Sequence, residues 1–325
     1  MKTGEDQLVQ KIVKALAFKG RSGLALAAGD DAALLEPRSG YQTIVTCDWF
    51  LEGSHFLRDK HPPDSIGWKC LARAASDIAA MGGEPKHFLL SLGLPATHTG
   101  GWLDRFLMGL ARAQRRLRCR LAGGDTTRSE NILINVTVIG EIRRGRAVLR
   151  SGAEPGDLIF VSGRLGEAEL GLRWLRQGRG APRRDNPCIK KHLYPEPRLA
   201  LGRWLAEKRI ASAMMDLSDG LSTDLPRMCA ASRVGAGLEA DKIPSVQVPR
   251  GEIRNDLDVS DLALNGGDDY ELLFTVHPKQ SRRVPRVFRG LPITCIGEIR
   301  PDRRLVLIEP GGSEKALVPR GWDPF

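Results

Sequence analysis

Nine aspartates of the chain fall in six short segments that also carry glycine or another small residue. They are Asp30, Asp31, Asp48, Asp77, Asp125, Asp216, Asp219, Asp268 and Asp269. Most of them are predicted to lie in turns where strands and helices end. A glycine beside a carboxylate allows the backbone to approach a ligand closely. Carboxylate oxygens suit Mg²⁺, which takes one or two of them together with water and phosphate oxygens. The pattern therefore favours a magnesium site that faces phosphate groups.

Each of these aspartates also has a purely structural explanation. An aspartate before a helix is usually an N-cap, and Asp-Gly usually forms a turn. Asp77 differs, because it lies inside an apolar helical pattern, where a carboxylate must be paired, solvated or metal-bound. Six such segments in a chain with a net charge of +10 favour a shared chemical use.

Familiar nucleotide and hydrolase motifs are absent from the sequence. It contains no G-x-x-x-x-G-K-[ST] loop, no G-x-G-x-x-G fingerprint, no kinase H-R-D or D-F-G, no H-E-x-x-H and no G-x-S-x-G. A nucleotide enzyme with this sequence would therefore hold phosphates mainly through metal ions.

Length and composition predict a globular protein of about two domains and argue against a membrane-spanning or secreted one. The 325 residues predict about two domains, and no apolar run approaches the ~18 residues that a membrane helix needs. The polar N-terminal segment has no signal-peptide core. Six cysteines show no metal or disulfide spacing, so we expect reduced thiols in a cytoplasmic protein.

The positive charge alone does not define a partner. A basic surface suits either nucleic acid or an anionic small molecule such as a nucleotide. The basic residues are scattered, and only three tyrosines are present, without the aromatic-basic interleaving of a stacking platform. We therefore expect no nucleic-acid and no membrane partner.

Apolar periodicity predicts alternating helices and strands. Helices are expected over 7–18, 64–81, 102–117, 166–177 and 199–208, and a further helix is expected to follow 216–219 and to run to about 232. Strands are expected over 43–47, 87–94, 118–122, 132–142, 158–163, 271–276 and 293–299. The segment 150–157 (RSGAEPGD) reads as a boundary, which gives two α/β domains, 1–149 and 150–325. The basic loop 179–184 is either a solvated loop, which is favoured, or a mobile lid.

Eight segments together resemble the thiamine-monophosphate kinases, of the superfamily that includes aminoimidazole ribonucleotide synthetase and selenophosphate synthetase. They are GDDAALL (29–35), TCDWFLEGSHF (46–56), ASDIAAMGGEP (75–85), GGDTTRS (123–129), RSGAEPGD (150–157), DLSDGLSTDL (216–225), NGGDDYELLF (265–274) and GWDPF (321–325). They follow the order of that family over nearly the whole chain.

The resemblance implies an α/β (α+β) fold of two domains, in which an N-terminal α/β sandwich dimerises and binds metal and ATP. The C-terminal α/β domain would close the active-site cleft. The implied reaction is ATP-dependent phosphorylation of thiamine monophosphate to thiamine diphosphate. Mg²⁺, as several ions, and ATP as co-substrate are implied with it, in a cytoplasmic homodimer.

The motif match also implies roles for single residues. The magnesium ligands would be Asp31, Asp48, Asp77, Asp125, Asp216 and Asp219, with Thr46 and Cys47 in the same metal-binding turn. ATP would contact Gly124, Asp125, Arg150 and Ser218. The substrate would contact His55, Asp268 and Trp322.

Three positions depart from the family pattern. Cys47 stands where the family usually has Thr, so a hydroxyl contact to metal would be lost and a backbone contact kept. Asp268 replaces the usual Glu and reaches one methylene less far. Pro324 replaces the usual His.

The implied chemistry needs no catalytic acid or base. A phosphate monoester has a second pKa of about 6 and is largely ionised at neutral pH. Phosphoryl transfer depends on positioning and charge neutralisation, so Mg²⁺ and arginine can relieve the repulsion between donor and acceptor. We therefore expect direct in-line transfer without a phospho-enzyme.

Alternatives remain open at this stage. Another ATP-using enzyme of the superfamily is one, although selenophosphate synthesis calls for an early cysteine and none precedes Cys47. A non-catalytic nucleotide-binding protein is another. Trp322 could stack on the cationic thiazolium or dock the tail on the core, and His55 could be a phosphate donor or a structural residue.

Overall fold

The computed structural model describes residues 5–17, 23–26, 32–177, 185–248 and 257–322. The chain forms two compact units, one of residues 1–78 and 83–145 and one of residues 79–82 and 146–325. Both are built from helices and sheets, in agreement with the predicted α/β class. In the described ranges, no helix is both long and apolar enough to span a membrane.

The first unit contains a four-stranded sheet with helices before and between its strands. Its elements are α1 (Glu5–Ala15), β1 (Leu24–Leu26), β2 (Leu34–Leu35), β3 (Tyr41–Leu51), α2 (Pro63–Ala80), β4 (Glu84–Leu94), α3 (Gly101–Leu117), β5 (Arg120–Arg128) and β6 (Leu133–Arg143). The sheet order is β3-β6-β4-β5. Only β4 and β5 pair in parallel, and β1 and β2 form a separate ribbon.

Side-chain alternation gives this sheet one buried and one open face. On β3, Ile44 and Phe50 are buried, whereas Val45 and Trp49 are 63% and 55% exposed. Successive residues of a strand point to opposite faces, so the even-numbered residues of β3 face the core. The helix predicted over 64–81 from its apolar periodicity is α2, and it buries Ile66, Leu71 and Ile78.

Two aspartates predicted at strand ends lie inside strands, which corrects the sequence-based expectation. Asp48 lies within β3, which continues to Leu51, and Asp125 lies within β5, which continues to Arg128. The reason is tertiary pairing: β3 pairs with β6 along its whole length, and β5 pairs with β4 past the two glycines. Cross-strand hydrogen bonds thus override the local turn signal.

The second unit is organised around an eight-stranded sheet. Its elements are β7 (Leu158–Ser162), α4 (Glu167–Gln177), α5 (Pro187–Leu193), α6 (Leu199–Glu207), β8 (Ala213–Leu217), α7 (Leu221–Ser232), β9 (Gly235–Glu239), α8 (Val259–Asn265), β10 (Glu271–Val276), α9 (Pro278–Ser281), β11 (Val287–Phe288), β12 (Leu291–Arg300), β13 (Leu305–Ile308) and β14 (Glu314–Ala316). The order is β14-β13-β9-β12-β7-β10-β8, with β11 on β12. The loop 179–184 lies outside the described residues.

The packing of the second unit brings together the segments that follow β8 and precede β10. Buried side chains of β7, β8 and β10 join those of α7 in one core, among them Val161, Met215, Leu225 and Leu273. β10 pairs antiparallel with both β7 and β8. The last residue of β8 therefore pairs with the first residue of β10, at the same end of the two strands. This brings residues 216–219 next to residues 266–271.

Candidate active site

In the first unit, the structure brings Thr46 and Asp77 into direct contact. Thr46 lies on the core-facing side of β3, and its hydroxyl donates a hydrogen bond of 2.5 Å to Oδ2 of Asp77 on α2. Both residues are half-buried. Asp48 follows two residues later on the same side of the strand. These three positions provide hard oxygen donors, the ligand type that Mg²⁺ prefers.

Cys47 points to the other face of β3. Its side chain is exposed, and its Sγ lies 3.1 Å from Nδ2 of Asn135, which also donates to the backbone oxygen of Asp48 over 3.2 Å. The thiol therefore faces away from Thr46 and Asp77. Asn135 holds the backbone of residues 47 and 48 in place.

At Gly124 and Asp125, the backbone of β5 pairs with that of β4. A side chain at position 124 would place its Cβ 1.9 Å from the backbone oxygen of Leu90, so only glycine fits there. The strand register puts Asp125 in one cross-strand row with Ser91, Asn135 and Trp49. Its Oδ1 accepts the N–H of Thr126 over 2.9 Å. Asp125 thus faces the open side of the sheet, opposite to Thr46.

The expected magnesium ligands are not gathered into one cluster in the described part of the chain. Asp31, an expected ligand, lies outside the described residues. Within the part of the chain that the structure describes, no three His, Cys, Asp or Glu side chains form a group that could hold a metal ion. The oxygen donors at Thr46, Asp48 and Asp77 nevertheless match the chemistry of Mg²⁺, which completes its shell with water and phosphate oxygens.

His55 is held in one tautomer by the backbone. The N–H of Leu51 donates to its Nδ1 over 3.1 Å, and the ring packs against Phe50 with centroids 6.0 Å apart. Because Nδ1 accepts, the proton of the neutral ring lies on Nε2. His55 therefore carries a donor that suits a phosphate oxygen.

In the second unit, the turn between β8 and α7 carries Ser218 and Asp219. Both backbone N–H groups donate to Oδ2 of Asp224, each over 3.0 Å. Arg227 pairs with the carboxylates of Asp219 and Asp224 at 2.5 and 2.8 Å. Burial raises the pKa of Asp224 to about 6, although the N–H groups and Arg227 oppose this. Asp216, just before the turn, is itself buried on β8.

Asp268 and Trp322 lie on either side of this turn. The N–H of Asp268 donates to the backbone oxygen of Ser218 over 2.8 Å, and that of Trp322 to the backbone oxygen of Asp219 over 3.0 Å. A Cβ at Gly321 would lie 1.9 Å from the same Asp219 oxygen, so the tail needs glycine there. The backbone of the tail is docked while the Trp322 side chain stays 44% exposed. Pro324 lies outside the described residues.

Arg150 is not brought to the Ser218 turn. Its backbone oxygen accepts the hydroxyl of Ser232, the last residue of α7, over 2.7 Å, whereas Ser218 precedes the first residue of that helix. Twelve helical residues separate the two ends by about 18 Å. The exposed Arg150 side chain and the Ser218 turn therefore mark opposite ends of α7.

A buried network of charged residues, which no sequence motif indicated, lies at the start of β10. Glu271, which is 0% exposed, binds Lys191 at 2.7 Å and Arg198 through both carboxylate oxygens, and it accepts the Ser162 hydroxyl at 2.6 Å. Burial alone would raise the pKa of Glu271, but Lys191 and Arg198 outweigh it and lower that pKa. A glutamate that opens an apolar strand (ELLFTV) is the signal that could have revealed it.

Neighbouring Asp269 has a structural role. Its two carboxylate oxygens accept the N–H groups of Gly166 and Ala168, at 2.5 and 3.0 Å, before and within the first turn of α4. Burial raises the pKa of Asp269 to about 6, while Lys191 and the two N–H groups oppose the shift. The two adjacent aspartates thus differ: Asp269 caps a helix and Asp268 lies near the Ser218 turn.

Comparison with known proteins agrees with this architecture. The family models "AIR synthase related protein, N-terminal domain" and "AIR synthase related protein, C-terminal domain" match residues 29–142 and 154–309. The thiamine-monophosphate kinase of Buchnera aphidicola (subsp. Acyrthosiphon pisum, strain APS) is 36% identical over 307 residues, 93% of this chain and 92% of that protein.

Solved structures extend the likeness to three dimensions. Thiamine-monophosphate kinase from Stenotrophomonas maltophilia K279a is 37% identical, with a TM-score of 0.82 over 94% of this chain and 97% of that one. AaThiL complexed with AMPPCP and TMP is 32% identical, with a TM-score of 0.79 over 99% of this chain and 97% of that one. The resemblance expected from the motifs is confirmed: the chain belongs to the thiamine-monophosphate kinase family.

Proposed function

We propose that this chain transfers the γ-phosphoryl group of ATP to thiamine monophosphate and forms thiamine diphosphate. The observation that carries the proposal is the likeness, over 99% of the chain, to a structure that binds AMPPCP and TMP. AMPPCP is an analogue of the phosphoryl donor, and TMP corresponds to the acceptor. Relatives that span 93% of the chain are named for the same reaction.

Direct in-line transfer suits the residues present. The acceptor phosphate is ionised at neutral pH and needs no general base. The candidate residues accordingly hold and orient phosphates and do not remove a proton: His55 offers an N–H donor at Nε2, and Arg150 offers an exposed guanidinium. A direct displacement inverts a chiral γ-phosphorus, and retention of its configuration would contradict the mechanism.

Magnesium is part of the proposal. Mg²⁺ would neutralise phosphate charge between donor and acceptor. In the first unit, Asp48, Asp77 and Thr46 would hold one ion, with Cys47 contributing only through its backbone. Asp125, on the opposite face of the sheet, would be a ligand of another ion, and Asp31 is proposed as a further magnesium ligand. In the second unit, Asp216 and Asp219 would contribute further carboxylates. The contact between Thr46 and Asp77 supports this assignment.

The remaining contacts are divided between the two co-substrates. We assign ATP to Gly124, Asp125 and Ser218, and to Arg150, which lies toward the other end of α7 and would therefore contact a different part of the nucleotide from Ser218. Asp268 and Trp322 would bind the thiamine part of the acceptor, and His55 its phosphate. The support for Asp268 and Trp322 is that both adjoin one turn and keep partly exposed side chains.

A homodimer is also proposed. Val45 and Trp49 are large, more than half exposed, and on the same open face of β3. Large exposed apolar side chains on one face of a strand are typical of a protein interface. We propose that residues 1–149 carry metal binding, ATP binding and dimerisation, and that residues 150–325 form the second domain. All six cysteines are free thiols, which supports a cytoplasmic location.

The direct test is incubation of the purified protein with ATP, Mg²⁺ and thiamine monophosphate, followed by chromatography. Thiamine diphosphate should form with metal and disappear with a chelator. Tight binding of Mg-ATP without that product would mean that the acceptor is a different molecule. Product formation that needs no metal would overturn the magnesium assignment alone.

A further inference from the structure

The carboxylate of Asp268 lies beside two buried aromatic side chains, one of which donates a hydrogen bond to it. The hydroxyl of Tyr270 donates to its Oδ1 over 2.7 Å, and Nδ1 of His192 lies 3.6 Å from its Oδ2. Tyr270 and His192 are 3% and 1% exposed, whereas the Asp268 side chain is 29% exposed. A carboxylate that is fixed from the protein side and partly exposed can receive a ligand on its exposed side.

The backbone around Asp268 adopts an unusual conformation. Asp268 and Tyr270 have φ angles of 68° and 50°, in the left-handed region that residues with a side chain rarely adopt. Such a conformation persists only when the surroundings impose it, and it is concentrated at functional sites. Here Asp269 supplies the anchor, because both of its oxygens accept N–H groups at the start of α4.

Backbone hydrogen bonds fix the same segment to the neighbouring strand. The N–H of Asp268 donates to Ser218 over 2.8 Å, and that of Tyr270 to Leu217 over 2.9 Å. The chain thus turns so that the Tyr270 side chain returns toward Asp268, two residues before it. With the segment held at three points, the hydroxyl of Tyr270 decides only which way the Asp268 carboxylate faces.

We propose that Tyr270 is a positioning residue: its hydroxyl orients the Asp268 carboxylate toward the cationic, amino-bearing heterocycles of the acceptor, and His192 limits the carboxylate on its other side. The inference rests on the proposed function. The fixed orientation also suits Asp268, which stands where the family usually has Glu. Because its side chain is one methylene shorter, it has less freedom to reach the substrate and depends more on being held in the correct direction. Tyr270 itself does not touch the substrate.

The test is the variant Tyr270→Phe, which removes one oxygen and keeps the buried ring. KM for thiamine monophosphate should rise about tenfold, because a charge-assisted hydrogen bond is lost. KM for ATP and kcat should each stay within about twofold, since neither depends on Asp268. Tyr41→Phe is the matched control: its hydroxyl accepts a hydrogen bond from Arg143 in the first unit, and all constants should be unchanged.

A double-mutant comparison separates positioning from stability. Asp268→Gly removes the carboxylate and tolerates the left-handed backbone. In that background, Tyr270→Phe should change KM for thiamine monophosphate by less than about twofold. Calorimetric titration with thiamine monophosphate measures Kd without requiring turnover. Tyr270→Phe should raise this Kd in the wild-type background and leave it nearly unchanged in the Asp268→Gly background.

Three outcomes decide the matter. An unchanged KM in Tyr270→Phe, with an active wild type, overturns the positioning role and leaves the proposed function intact. An equally large effect in the Asp268→Gly background, or a lower melting temperature with unchanged constants, shows a structural role and overturns it too. A wild type that binds no thiamine monophosphate defeats the proposed function and this inference together.

Discussion

Oγ1 of Thr46 on β3 lies 2.5 Å from Oδ2 of Asp77 on α2, so a strand hydroxyl and a helix carboxylate share one hydrogen bond beneath the sheet. The sequence marks Asp77 as unusual because it interrupts an apolar helical pattern. The structure supplies the partner that makes a half-buried carboxylate tolerable there.

Asp77→Asn should lower turnover about a hundredfold or more, since it removes a charged ligand of Mg²⁺. The fold should persist, because the amide oxygen can still accept the Thr46 hydroxyl. Activity and circular dichroism measure the two effects. Asp64→Asn, a substitution at an ion pair with Arg112 near the start of the same helix, is the control and should retain activity. Near-normal turnover of Asp77→Asn at limiting Mg²⁺ would remove Asp77 from the ligands.

Trp322→Ala should weaken thiamine monophosphate more than ATP. A ring against a cationic thiazolium contributes about 0.5–2 kcal/mol, which corresponds to an increase in KM of roughly twofold to thirtyfold. The docked backbone of the tail, held by the N–H of Trp322, survives the substitution. Steady-state kinetics with each co-substrate measures the effect. Equal weakening of both would instead favour a tail that only docks on the core.

Glu271→Gln should destabilise the protein by about 3–5 kcal/mol, because it leaves two cations without their buried partner. The free energy of unfolding in urea is the measurement. Glu309→Gln, at a surface pair with Lys315 whose side chains are 31% and 66% exposed, is the control and should cost less than about 1 kcal/mol. A loss of less than about 1 kcal/mol for Glu271→Gln, as expected for the surface pair, would show that the buried network contributes little.

The charge of Asp269 should give stability a defined dependence on pH. Its pKa rises from 3.8 to about 6 on folding because of burial. Between these two pH values, Asp269 is protonated in the folded chain and ionised in the unfolded chain. The free energy of unfolding therefore falls as pH rises, by on the order of 3 kcal/mol. Urea unfolding of the wild type and Asp269→Asn from pH 4 to 7 tests this. As pH rises from 4 to 7, the free energy of unfolding of the wild type should fall relative to that of the variant. A rise over the same range would refute the raised pKa of Asp269.

Trp49→Glu should convert a dimer into monomers, since a charge on the open face of β3 opposes association. Light scattering or sedimentation of the wild type and the variant measures the mass. Val287→Asp alters a side chain of the second unit that is 57% exposed, and it should leave the mass unchanged. A monomeric wild type, or a Trp49→Glu dimer, would reject the proposed interface.

Sequence periodicity predicted the long elements well. Helix α2 is expected over 64–81 and spans Pro63–Ala80, and β10 is expected over 271–276 and spans Glu271–Val276. Elements without a strong apolar period were missed, such as β9 (Gly235–Glu239) with its two glycines and the seven-residue α5. Their structure depends on tertiary pairing and packing, which local propensity does not encode.

The candidate site was predictable in residue type but not in geometry. The motif GGDDY marks Asp268 and Asp269 as a pair, yet one caps α4 and the other adjoins the Ser218 turn. Only the fold separates these roles, because the partners of Asp269 lie about a hundred residues away, at Gly166 and Ala168. The hydrogen bond from the Tyr270 hydroxyl to Asp268 was likewise not predictable, since it forms where both residues adopt left-handed backbone conformations that no motif indicates.

The most direct test of the central claim follows the label from ATP radiolabelled in its γ-phosphate, with excess thiamine monophosphate and Mg²⁺. Labelled thiamine diphosphate should accumulate in equal amount to ADP, and a chelator should abolish both. Label that appears only as inorganic phosphate, at a rate independent of thiamine monophosphate, would contradict the account.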